Sequence, residues 1–170
     1  MDYAWFIRLI ADYSVFPVVI LGAWALLFGI PKGGRYEAYC RVLMAGLTAY
    51  LCAKLLGAIY QPTGMRPYEL LGLHPGASYL DNPGFPSDHT LFVATIALAV
   101  WFETTYRKLA IVLFLLVIVV AVGRVLALVH TPLDVSAGII IALIGGLWYL
   151  QDREFMPAKV KKQKLSRLSR

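Results

Sequence analysis

Residues 109–150 read LAIVLFLLVIVVAVGRVLALVHTPLDVSAGIIIALIGGLWYL, and they decide the fold class. The two apolar runs, 109–129 and 132–150, are each close to the roughly 20 residues a helix needs to cross the hydrocarbon of a bilayer. Working outward, 14–30, 38–60 and 88–102 are apolar in the same way, although the first and third are short. The 170-residue chain is 59% hydrophobic and 15% charged, too little charge to cover a soluble surface. These runs predict an all-α polytopic membrane bundle of about five transmembrane helices. In residues 2–13, Trp5, Phe6, Leu9, Ile10 and Tyr13 share one helical face, with Asp2, Arg8 and Asp12 elsewhere. That pattern suits either a helix lying in the interface or a simple extension of the first span.

Charge orients the bundle. Lys32, Arg35, Arg41, Arg107, Lys108 and Arg153 fall on one side of a five-span chain, together with the basic tail. The other side receives only Arg8, Lys54, Arg66 and Arg124. Basic residues concentrate on the cytoplasmic side, so the N-terminus and the loop 61–87 are expected outside. Residues 1–155 are read as the membrane domain and 156–170 as a basic cytoplasmic tail, suited to anionic lipid rather than nucleic acid. Cys40 and Cys52 lie in one apolar segment, as packing residues rather than a disulfide.

Three of the four outer cations, Lys54, Arg66 and Arg124, sit in or beside apolar helices, where an ionisable group needs a partner or a task. Snorkelling accounts for Lys54 near its span's end. It accounts less well for Arg124, about six residues short of the expected helix end. Few acids lie on that side to pair these cations, which points to a highly charged anion. Two helix starts converge there. Ser87 is a natural N-cap, with Asp88 and His89 in the first turn, and free amides at such a start cradle phosphate. Thr131 can cap the last span, with Pro132 first and Asp134 third. Asp134 could therefore be only a capping carboxylate, and His89 only a polar first-turn residue. Together the residues suggest more: Asp134 can orient His130 as a nucleophile. His89 can protonate a leaving oxygen, and the three cations can balance the transferring phosphoryl group. No Cys/His cluster has metal spacing, so a reaction without metal or other cofactor is expected.

These residues resemble the type-2 phosphatidic acid phosphatase family, whose signature is a lysine followed by Arg-Pro, then PSGH, then SR-x5-H-x3-D. Here the third part is Gly123-Arg124, five residues, His130, three residues, Asp134, with glycine in place of the first serine. The second is Pro86-Ser87-Asp88-His89, with aspartate in place of glycine. The first is Lys54 followed after eleven residues by Arg66-Pro67; at the family's usual spacing the chain has Gln61-Pro62. The resemblance implies a phosphohistidine on His130, oriented by Asp134, with His89 as general acid. It also implies a phosphate held by Lys54, Arg66, Ser87, Arg124 and the amide of Asp88, at the outer membrane surface.

The Asp88-containing second motif resembles the bacterial subgroup that acts on undecaprenyl diphosphate in the plasma membrane during cell-wall synthesis. That resemblance implies a lipid diphosphate substrate; separately, an acid at Asp88 beside a site for a highly charged anion is expected to tune the protonation of His89. His74 is read as a loop residue, or as a contact for a second phosphate. The rival readings are a phosphatase for phosphatidic acid, phosphatidylglycerol phosphate or another lipid monophosphate, and a catalytically silent lipid-binding protein.

Overall fold

The computed structural model describes residues 3–62, 64–80, 82 and 84–150. The expected basic tail lies outside these described residues. Six helices account for most of the rest: α1 (Tyr3–Gly29), α2 (Arg35–Ile59), the short α3 (Pro67–Leu70), α4 (Asp88–Glu103), α5 (Arg107–Leu126) and α6 (Pro132–Gly146). No strand occurs among the described residues. Four helical stretches are long and apolar enough to cross a membrane: Tyr3–Gly29, Lys32–Ile59, Arg107–Leu126 and Pro132–Tyr149. The remaining long helix, α4, has 16 residues.

Helix α4 packs against α1, α2, α5 and α6, and Val93, Ala97 and Val100 on it are fully buried. The surrounding helices turn large apolar side chains outward instead, such as Phe16, Ile20, Leu43, Leu55, Leu115 and Ile118. An apolar exterior around a core of small residues is the arrangement lipid favours, because helices there gain by close packing rather than by escaping water. Gly145 shows how close: a Cβ on it would collide with the Ala45 carbonyl oxygen.

Residues 3–13 extend the first span, so of the two arrangements compatible with that segment the molecule adopts the continuous one. The extension is not regular. Leu9–Tyr13 forms a π-turn, closed by the Ser14 amide donating to the Leu9 carbonyl at 3.1 Å. Helix α5 ends at Leu126 rather than near 129, which places Arg124 in its last turn. The chain then reverses through Leu128 at φ 59°, a left-handed conformation costly for leucine.

Candidate active site

One end of the bundle collects the N-terminal part of α1, the C-terminal ends of α2 and α5, and the starts of α4 and α6. At α6 the sequence signals are realised as a capping box. The Asp134 amide donates to Thr131 Oγ1 at 3.2 Å, and Asp134 Oδ2 accepts from the Thr131 amide at 2.7 Å. At α4 they are realised differently. Ser87 holds the extended N-cap conformation, but its hydroxyl caps no amide; it accepts from Thr90 Oγ1 at 3.1 Å. Its own amide donates to the Asp134 carbonyl at 3.0 Å, tying the two helix starts together. The amides of Asp88, His89 and Thr90 precede the first intrahelical bond, from Leu91 to Ser87, and lack a side-chain cap.

His130 stands at the turn between α5 and α6 and is buried. Its Nδ1 faces Asp134 Oδ2 at 3.6 Å, a contact longer than a hydrogen bond. Both that Nδ1 and Asp134 Oδ1 are buried without a partner. Burial pushes the imidazole below its ordinary pKa; Asp134 opposes the shift, and Arg124 and Arg66 add to it. These effects favour the neutral imidazole, the form in which a ring nitrogen can attack.

Arg66, His89, Arg124 and His130 line one small cavity, with Asp88 and Asn82 at its margin. Arg66 reaches it despite the long spacing from Lys54. Its Nη1 donates to the Val129 carbonyl at 2.6 Å, and its Nη2 to the Leu80 carbonyl at 2.9 Å and Asn82 Oδ1 at 2.8 Å. The guanidinium also lies 5.0 Å over the Tyr79 ring. Gly84 is required beneath it: φ is +94° there, and a Cβ would meet Arg66 Cζ at 3.3 Å. Gln61, at the family's usual spacing, instead donates to the Gly57 carbonyl and, at 3.1 Å, to that of Phe85.

The expectation of cations with few acids to pair them needs correction. Lys54 is exposed and donates to both oxygens of Asp88 at 3.0 Å. Asp88 therefore answers Lys54 directly, and this pair borders the cavity. Arg124 is fully buried, and its Nη1 donates to Asp12 Oδ1 at 2.9 Å. The burial cost of an ion explains why the pairing exists. Asp12 is the site residue that a count of basic residues passes over; its signal was an acid within an apolar helix. His74 is exposed and does not line the cavity. Among the described residues no group of three or more His, Cys, Asp and Glu side chains is placed to hold a metal ion.

The wider architecture of the site has relatives. Undecaprenyl-diphosphatase BcrC of Bacillus subtilis (strain 168) is 24% identical over 150 residues, covering 86% of this chain and 73% of the relative. Bacitracin transport permease protein BcrC of Bacillus licheniformis is 29% identical over 110 residues, covering 62% of this chain and 51%, about half, of the relative. No solved structure matches. The PAP2 superfamily pattern matches residues 38–156, a stretch that holds Lys54, Arg66, Ser87, His89, Arg124, His130 and Asp134. With most of its length matched, this multi-pass membrane chain belongs to the PAP2 superfamily.

Proposed function

We propose that the protein is a phosphatase of the bacterial plasma membrane that hydrolyses undecaprenyl diphosphate to undecaprenyl phosphate and orthophosphate at the outer face. Residues 1–155 form its membrane domain and the basic tail 156–170 faces the cytoplasm. The observation that carries the reading is the adjacency of two cavities. The small polar cavity around His130 shares Asp88 and Leu80 with an apolar groove of about 720 Å³ between α2 and α4. The groove runs from Lys54 back to Val42, about 18 Å at helical rise, and Leu47, Leu91 and Phe92 help to wall it. A hydrocarbon tail gains little by exchanging lipid for this wall. The groove therefore orients the substrate, and the charged end supplies the affinity.

In this reading the terminal phosphoryl group enters the cavity against Arg124, Arg66 and the open amides at the start of α4. The His130 nitrogen remote from Asp134 attacks phosphorus, and the bond to the bridging oxygen breaks. His89 gives that oxygen its proton, and undecaprenyl phosphate departs. Water then attacks the phosphohistidine, losing a proton to His89, and releases orthophosphate. The same groups would serve a lipid monophosphate, so the diphosphate assignment draws on the name of the Bacillus subtilis relative and on the long groove.

The test is orthophosphate release by the detergent-purified protein from undecaprenyl diphosphate and from phosphatidic acid, with EDTA present, beside His130→Ala. Faster release from the diphosphate, abolished in the variant, is expected. Release from phosphatidic acid alone would replace the substrate, and release that EDTA stops would replace the metal-free mechanism. Silence on both lipids would leave a binding protein.

A further inference from the structure

The feature that the family's motifs leave unexplained is the approach of α1 to the site. Helix α1 precedes the region matched to the family, residues 38–156, yet it supplies Asp12 to the buried Arg124. Two local departures from regularity bring it there. Asp12 lies in the π-turn Leu9–Tyr13, and this turn packs against α5. On α5 the contact point is Gly123, where a Cβ would meet the Ile10 carbonyl carbon and oxygen and the Ala11 nitrogen, each at 2.8 Å. Gly123 is the position at which the related signature carries serine. Its bare backbone is what admits α1 to this depth.

The bonds of Asp12 are divided. Oδ1 accepts from Arg124 Nη1 at 2.9 Å, and Oδ2 accepts from the Ser78 amide at 2.9 Å. Ser78 belongs to the same loop as Leu80, whose carbonyl holds Arg66. Arg124 Nε, by contrast, is buried and has no partner. Asp12 thus satisfies only part of the buried guanidinium, and Arg124 itself lines the cavity. Arg66 and the two imidazoles, His89 and His130, are the other titratable groups lining the cavity with Arg124 and Asp88.

We propose that Asp12 is a positioning residue of the phosphate site: by clamping one nitrogen of Arg124 it holds the guanidinium in the orientation in which it meets a phosphoryl group. The proposal rests on the phosphatase reading. Asp12 touches no substrate; it acts through Arg124.

A double-mutant cycle on the full-length protein tests it, with orthophosphate release measured in single turnovers at excess enzyme. Asp12→Ala is expected to lower kcat/KM by roughly 10- to 100-fold, the scale of a misplaced catalytic group. In the Arg124→Ala background the same change is expected to cost less than about threefold, because the interaction is already gone. Equal losses in both backgrounds, or no loss in the native background, would overturn the proposal. If Asp12→Ala fails to accumulate, Asp12→Asn runs the same cycle with size and an acceptor retained. The expected loss then falls on kcat more than on KM, and a variant as active as the native protein would overturn the role. Failure of the unmodified protein to release phosphate would be a separate result, sinking the phosphatase reading itself.

Discussion

The bundle holds an arginine–carboxylate pair at each end, and the two are built differently. At the end away from the cavity, Arg41 Nε donates to Glu103 Oε1 and Nη2 to Glu103 Oε2, both at 2.7 Å. Fork meets fork, the strongest geometry for such a pair. At the cavity end Arg124 gives one nitrogen to one oxygen of Asp12, the second oxygen goes to a backbone amide, and Nε has no partner. Closed pairing is what a structural clasp between α2 and α4 needs. Open pairing leaves the more deeply buried arginine with donor capacity that Asp12 does not use, as the proposed phosphate role needs.

The comparison can be broken most severely at the open end. His130→Ala is expected to lower turnover by a factor on the order of 10⁴ or more, with the thermal midpoint in detergent nearly unchanged; residual turnover near the native rate would remove the nucleophile from its role. Next come the two arginines themselves. Arg124→Ala should lower kcat/KM by about 10²- to 10³-fold. Arg41→Ala should leave kcat/KM within about twofold and reduce stability by about 1–3 kcal/mol. Activity and chemical denaturation measured on both variants decide this, and an Arg41 variant that is stable but inactive would erase the distinction.

A pH profile sharpens the comparison further. If His130 is the nucleophile as proposed, the acid limb of activity is expected to report its protonation, and because burial and the nearby cations lower its pKa, the limb is expected below that of an ordinary imidazole. Arg66→Gln removes one of those cations and should move the limb to higher pH. Asp134→Asn removes the group that opposes the shift and should move it lower, while slowing the reaction. Shifts in the same direction would contradict this electrostatic account. The smallest effect is expected from Gly123→Ala, whose methyl must push α1 away from α5. A stability loss of about 1–3 kcal/mol, the usual scale of overpacking, should accompany a few-fold loss of turnover; an unchanged protein would show that the close approach is dispensable.

Much of this was legible in the chain because the signals are local. The apolar runs mark the spans, and Thr131, Pro132 and Asp134 form a cap within four residues of one another. Arg124 followed from counting the cations that membrane depth makes expensive, and His89 and His130 from the two helix starts beside them. What escaped is non-local or conformational. Asp12 and Arg124 are 112 residues apart, and their pairing depends on a glycine contact between helices. The early end of α5 depends on a left-handed leucine, which carries none of the glycine or asparagine signal that usually marks such a turn. Ser87 looked like a cap because it has the right type and backbone; its hydroxyl went elsewhere because Thr90 competes for it.

The π-turn in α1 has a consequence for register. One extra residue in a helix rotates everything before it by about 100° relative to everything after it. The aromatic face of Tyr3–Arg8 and the lipid-facing stripe of Val15–Gly29 are therefore not one continuous line, and each half of the helix is phased to its own neighbours. Deleting a single residue between 9 and 13 would straighten the helix and turn the acid that now meets Arg124 toward another azimuth, with the composition of the span almost unchanged. In this chain the phase of one helix carries information that neither its hydropathy nor its length contains.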